Sequence, residues 1–416
     1  MKKIRGIDIN KMAIYFIIIA EIVYFGFIIV SRAKYIDSYM VNDFSNSEMD
    51  FFNMLAVTGR DDPYCEAANY PAMCFLILKF FHRLIPSNMA YSDNVHDGNF
   101  LRTYMPTQIA YTVFTLCCII AVYEMVKKMF NGYDKDKTIL AISMILSGPM
   151  IFTVERGNFI LLAFLFSMIY ILFYDSDNRY LRFISYVALA LAASIKIYPA
   201  VLGLLTIIKK RYKETIILIC LGIAFFILPF FYFNGIESIL SMLNGLSVSG
   251  DMQGNFGTGY NFSISNFVKI VGLFCGQKSI QNEVISVVRI FSIVLCFIVC
   301  FVSKELWKKT YALILIMVWT PEFSYTYSLI FLIIPFIMLL NQKKKNIIEN
   351  ICLYLLCMNL IPYSIPGLNS IDVINAKLPL TTPTLIINVV IFLIFIMIFI
   401  DDLKILLMKY KTKEII

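Results

Sequence analysis

Residues 181–208 read LRFISYVALALAASIKIYPAVLGLLTII. From Phe183 to Ile208 the run would suit a membrane interior, were it not for Lys196. A charge at the centre of a membrane helix costs about 2.5–3.5 kcal/mol on insertion scales, and such groups face a bundle interior or a wet cavity. The stretch therefore predicts two short apolar halves, 181–195 and 197–208, with a break that turns Lys196 toward a polar site. Pro199 fits the first turn of the second half, whose positive end favours an anion. Upstream, Glu155-Arg156-Gly157-Asn158 interrupts another apolar region in the same way.

The rest of the chain fits a membrane protein. Its 416 residues are 59% hydrophobic and 15% charged, with mean hydropathy +0.76, whereas a soluble domain carries about 25% charged residues. No polar stretch is long enough for a soluble domain, so residues 1–416 are expected to form one membrane domain. The net charge of +8 sits in clusters at span ends, among them Lys127 and Lys128, Lys209–Arg211, Lys308 and Lys309, and Lys343–Lys345. That is the pattern of cytoplasmic loops rather than of a nucleic-acid surface.

Apolar runs predict an all-α, polytopic chain of about twelve transmembrane helices, several of them shorter than the ~20 residues a span needs. The run Met12–Val30 follows a basic start and reads as a first span and signal anchor. With both termini cytoplasmic, every basic cluster falls inside. The outer side then receives the loops 33–103 and 234–284, the 155–158 turn, Lys196 and Glu322. The first loop contains a predicted amphipathic helix over 70–86. The second is rich in Gly, Ser and Asn around 245–265, a composition suited to a mobile lid. Ten cysteines lie mostly in apolar runs as small fillers. Cys65 and Cys74 share the first outer loop, and their pairing is open. With two histidines and no CxxC pair, neither a metal site nor a cofactor is expected.

Several polar groups carry candidate chemistry. Asp50, with Asp43 as the alternative, is a carboxylate beside the membrane that can take a proton from an acceptor hydroxyl, although chemistry alone favours a solvated loop acid. Arg156 presents a fork that matches two phosphate oxygens, or else pairs with Glu155 at a helix end. Asn158 can bond a sugar hydroxyl or cap the following helix. Lys196 either snorkels or meets a buried anion. Glu322 opens an aromatic stretch with Tyr325 and Tyr327 that reads otherwise as an interfacial belt. Asn261-Phe262-Ser263 matches a glycosylation sequon, a pattern common by chance.

Taken in order, these stretches resemble the polyprenyl-phosphate-sugar-dependent glycosyltransferases of family 87. The matching pieces are Asp50-Phe51 through Gly59, Pro63-Tyr64, Tyr70-Pro71, Glu155–Asn158, Lys196–Pro199, Asn261–Ser263 and Thr320–Tyr327. The resemblance implies a GT-C membrane fold with an outward-facing site in the plasma membrane. It implies transfer of a hexosyl unit, mannose among the candidates, from a polyprenyl-phosphate sugar to a lipid or glycan hydroxyl. Asp50 would act as base, and Arg156, Lys196 and Tyr198 would bind the donor phosphate. Glu155, Asn158, Tyr70, Asn261, Ser263, Glu322, Tyr325 and Tyr327 would line the substrates. Two departures stand out: Ala72 replaces the second proline of the usual Tyr-Pro-Pro, and residues 324–327 lack the Trp and His often found there. A polysaccharide polymerase and a transporter or flippase of lipid-linked sugars remain alternatives.

Overall fold

The computed structural model describes residues 9–34, 47–66, 68–85, 96–254, 261–277, 280–362 and 382–413. Every regular element among them is helical. In chain order the α-helices are α1 (Ile9–Val30), α2 (Met49–Thr58), α3 (Ala72–His82), α4 (Gly98–Thr103), α5 (Met105–Met129), α6 (Asp134–Ile145), α7 (Gly148–Arg156), α8 (Ile160–Phe173) and α9 (Arg179–Ile195). Then follow α10 (Leu204–Ile208), α11 (Tyr212–Ile227), α12 (Ile236–Gly254), α13 (Ile264–Phe274), α14 (Asn282–Val302), α15 (Leu306–Val318), α16 (Ile333–Leu340), α17 (Ile347–Leu360) and α18 (Thr382–Lys413). Short 3-10 turns occupy Pro63–Glu66, Tyr198–Gly203, Leu228–Tyr232 and Thr326–Leu332.

Among the described residues, five helices are long and apolar enough to cross a membrane: Ile9–Val30, Met105–Met129, Tyr212–Tyr232, Asn282–Val302 and Pro383–Ile405. Asp134–Ile145 with Gly148–Arg156 makes a sixth if the broken pair is one span. The chain is thus a multi-pass, all-helical membrane protein. Other expected spans exist as helices but are short: α8 and α17 have 14 residues each and α9 has 17. At 1.5 Å per residue none of these alone covers a hydrocarbon core of about 30 Å.

The chain forms two compact units, Met1–Tyr39 with Val126–Met150 and Gly257–Ile416 (unit 1), and Met40–Met125 with Ile151–Phe256 (unit 2). In unit 2, α8 and α11 pack against α9, and α2 against α3 and α4. Phe51 is at the centre of the aromatic core: its ring stacks on Phe159 at 5.8 Å and meets Phe81 edge-on at 5.4 Å. The expected amphipathic helix is α3. It begins after Pro71, whose ring fixes the entry of the chain, and stops at His82, shorter than 70–86 at both ends. Phe75, Leu78 and Phe81 point into the core, while Phe80 is 67% exposed.

In unit 1, α14 packs on α15, α17 on α18, and α1 on α6 and α17. Lys308 was expected among cytoplasmic loop cations. It is instead 2% exposed and paired with Asp401 at 2.6 Å and Asp402 at 3.2 Å. Ser303 donates to Asp402, and Asn346 donates to Asp401 at 3.3 Å. Burial with counter-ions is what an apolar surround demands of an ammonium group.

Other expectations change too. The 234–284 loop is largely helical, with α12 running to Gly254 and α13 starting at Ile264; residues 255–260 of the expected lid lie outside the described residues. Cys65 and Cys74 are both free. Cys74 is buried and its thiol donates to the Ile195 carbonyl at 3.4 Å, which leaves it no role in a bridge.

Candidate active site

Asp50 lies in the first turn of α2. The corner that delivers it is unusual: Glu48 precedes the helix at φ 62°, a left-handed conformation uncommon outside glycine. The corner is tied down from both sides. The Glu48 N–H donates to the Glu155 carbonyl at 2.6 Å, and the Glu48 carboxylate accepts from Gln108 at 3.0 Å. Ser47 donates to Glu155 Oε1 at 2.9 Å, and Arg102 donates to the Ser47 carbonyl at 3.0 Å.

Gly157 explains why the 155–158 turn can come so close. Its φ is +65°, and a Cβ there would sit 3.0 Å from the Glu48 carbonyl oxygen and 3.1 Å from Phe51 Cβ. Only a residue without a side chain meets both conditions cheaply. The turn thereby places Arg156 and Asn158 on either side of it against one carboxylate. Arg156 Nη2 donates to Asp50 Oδ1, and Asn158 Nδ2 donates to Asp50 Oδ2 at 2.8 Å. Asn158 also donates to the Tyr70 hydroxyl at 3.0 Å and accepts from the Ile160 N–H at 3.0 Å, capping α8. Asn158 thus serves the start of α8, as one of its two readings expected, and orients a carboxylate at the same time.

Lys196 follows the end of α9 in extended conformation, φ −135° and ψ 124°. The break expected from its charge is present, and Pro199 opens the 3-10 turn beyond it. Its ammonium lies over the Tyr70 ring, 3.8 Å from the centroid, a cation–π contact that strengthens where water is excluded. Tyr70 is held by the Tyr64 hydroxyl, which donates to its carbonyl at 2.9 Å. Burial, with the nearby Asp50 charge second, pushes the Tyr70 hydroxyl well above its ordinary range, so it stays protonated. Tyr198 is among the neighbours acting on it.

Asp50, Tyr70, Arg156, Asn158, Lys196 and Tyr198 therefore meet in unit 2, with Glu155 in the supporting layer. Side chains of Asp50 and Arg156 keep 19% and 21% exposure, enough for a ligand to reach them. A carboxylate with one donor on each oxygen retains a lone pair on each, so it can still accept a proton. Asp43 lies outside the described residues.

The remaining candidates belong to unit 1. Asn261 and Ser263 are buried and engaged internally. Asn261 Oδ1 accepts from the N–H groups of Ser263 and Ser324, both at 3.1 Å. Ser263 donates to the Glu322 carbonyl at 2.9 Å and caps α13 through the Asn266 N–H at 3.2 Å. Burial also disqualifies Asn261 as a glycan acceptor. The Glu322 side chain is 63% exposed and pairs with Arg289 at 3.7 Å. Tyr325 packs between Phe323 and Tyr327, at 4.4 and 5.5 Å between centroids.

Sequence reasoning missed Ser47, Glu48, Arg102 and Gln108, which shape the corner, and Arg289, which holds Glu322. Their pairings span 33–108 residues of chain, so no local pattern marked them.

The model of glycosyltransferase family 87 matches residues 100–322, more than half of the chain. The match takes in the 155–158 turn, Lys196, Tyr198, Asn261, Ser263 and Glu322, and ends before Tyr325. No curated protein and no solved structure matches this chain.

Proposed function

The chain belongs to glycosyltransferase family 87, and from that premise we propose that this multi-pass membrane glycosyltransferase moves a hexosyl unit from a polyprenyl-phosphate sugar to a lipid or glycan hydroxyl at the outer face of the plasma membrane. The observation that carries the proposal is the convergence of Asp50, Arg156, Asn158, Tyr70 and Lys196 in one partly exposed site. One carboxylate and two cations are what such a transfer requires.

In the reaction, the acceptor oxygen attacks the anomeric carbon and its proton passes to Asp50. The bond from that carbon to the phosphate oxygen breaks, and its electron pair leaves with the polyprenyl phosphate. Arg156 and Lys196 receive the charge that develops on the phosphate. Arg156 holds Asp50 through Nη2 and has further donors on its fork for phosphate oxygens. Asn158 fixes the orientation of Asp50, a positioning task that proximity effects reward. Tyr70 seats the Lys196 ammonium on its ring, and Tyr198 is assigned with Lys196 to the donor phosphate. Glu322, Tyr325 and Tyr327 are assigned to substrate contact by the resemblance alone, and Asn261 and Ser263 brace the segment that bears them.

The test is incubation of membranes containing the protein with labelled polyprenyl-phosphate sugars. Consumption of one of them, lost in Asp50→Asn, supports the proposal. Equal turnover in Asp50→Asn and wild type removes Asp50 from the chemistry.

A further inference from the structure

The end of α9 remote from Lys196 carries a second concentration of charge that glycosyl transfer does not use. Lys209 and Arg211 both pair with Asp175, at 2.5 and 2.7 Å. Arg182 pairs with Glu214 at 3.1 Å. The Asp175 pairs join the turn after α8 to the turn before α11, and the Arg182–Glu214 pair joins α9 to α11. Arg179, Lys210 and Lys213 are exposed there and have no ion pair among the described residues. Tyr180 and Tyr212 stand exposed beside them, the kind of amphipathic ring that settles at headgroup level. α9 has 17 residues, so this end lies about 25 Å from Lys196.

Between α9, α10 and α11 runs an apolar groove of about 410 Å³. It extends from Ile197 and Phe226 at one end to Ile207 and Thr215 at the other, and Thr215 is the one residue with a polar side chain among those lining it. Ile207 and Thr215 adjoin the 209–213 cations in sequence. At the far end the Lys196 ammonium is engaged with the Tyr70 ring, which is no part of the lining. Unpaired cations therefore flank the groove at one end only.

We infer that this groove holds an acyl chain of an anionic glycerophospholipid whose phosphate rests on Lys210 and Lys213. The groove supplies the apolar wall that a chain prefers, and the basic turn supplies the charge that selects an anionic headgroup. The inference goes beyond glycosyl transfer and does not depend on it.

The test uses the full chain purified in detergent, with phosphatidylglycerol and phosphatidylcholine as probes and bound lipid measured by native mass spectrometry. Wild type should hold phosphatidylglycerol at least tenfold more tightly than phosphatidylcholine. Lys210→Gln with Lys213→Gln should weaken phosphatidylglycerol by about thirtyfold, two charges at about 1 kcal/mol each. Gly222 lines the groove, and a Cβ there meets nothing within 4 Å, so Gly222→Phe has room to fill it without disturbing the backbone. That variant should lose the same lipid with its cations intact. Equal retention of both lipids by wild type overturns the inference, as does undiminished phosphatidylglycerol binding in Gly222→Phe. Displacement of the lipid by an equal concentration of glycerol phosphate would show headgroup binding alone and overturn the groove. If Gly222→Phe abolishes use of the sugar donor yet keeps phosphatidylglycerol, the groove belongs to the donor chain; the inference then falls while the catalytic reading stands.

Discussion

Asp50 accepts from Arg156 and Asn158, and substitution can separate what each contact does. Asp50→Asn removes the proton acceptor but keeps the shape. Turnover should drop by about 10²-fold or more, the usual size of a general-base contribution, while the protein remains folded. Arg156→Lys keeps the charge and removes the fork. Its effect should fall chiefly on the donor concentration dependence in a membrane assay, and an unchanged dependence would make Arg156 a structural partner of Asp50. Gly157→Ala combines a left-handed φ of +65° with a 3.0 Å approach to the Glu48 carbonyl. It should cost about 1–3 kcal/mol of stability, seen as a lower Tm in detergent. Arg156, Asn158 and Lys196 were legible because each interrupts an apolar context at a price, whereas Asp50 and Tyr70 were assigned through the family resemblance. The Arg156–Asp50 pairing was not legible, since its partners are 106 residues apart. Nor was the seating of Lys196 on Tyr70, which has no counterpart in charge patterning.

α3 shows what periodicity does and does not determine. Its amphipathic spacing was evident in the sequence, whereas its bounds, Ala72–His82, are tighter than the 70–86 expected. The spacing alone could not say whether the apolar stripe lies on a bilayer or in a protein core. The structure puts Phe75 at 0% exposure and Phe80 at 67%. Phe75→Ala should therefore destabilise by about 3–5 kcal/mol, and Phe80→Ala by far less, in thermal unfolding of the detergent-solubilised protein. Similar losses from both would mean that the stripe is not packed as described. The 234–284 region taught the opposite lesson. Its Gly, Ser and Asn content suggested a loop, yet α12 and α13 occupy most of it. Helix propensity is a weak prior that tertiary packing overrides. α13 begins at Ser263, whose hydroxyl supplies the cap; that signal was visible in the sequence but was read as part of a sequon.

Across the whole molecule, hydropathy identified the all-helical membrane class; among the described residues five helices, or six with the broken pair, are long and apolar enough to be full spans, against the twelve expected. Short buried helices such as α8 and α17 have the composition of membrane helices without their length, because an interior shielded by protein is as apolar as lipid. Charge asymmetry still makes a checkable statement about sidedness. In a background without exposed native cysteines, a cysteine at Asp97 should react with an impermeant reagent on intact cells. Cysteines at Asp134 and Asp177 should react only after permeabilisation. Outside labelling at Asp134 would reverse the assignment of the basic loops.

Lys308 and its two carboxylates also bear on biosynthesis. Lys308 lies 93 residues upstream of Asp401, so a chain made from its N-terminus brings the ammonium to the bilayer well before its counter-ions exist. The reverse burden falls on α18, which carries two adjacent acids near the end of an apolar run. Neither helix is comfortable in lipid until they meet. Joining them gives the ammonium its counter-ions and the two acids their cation, which makes α18 a late closing element whose arrival certifies that α15 is in place. Lys308→Ala leaves two buried acids without their cation, a change worth about 3–5 kcal/mol. A chain ending before α18 leaves the Lys308 ammonium without its counter-ions instead, and both should be cleared by membrane quality control faster than the intact protein in a pulse-chase experiment.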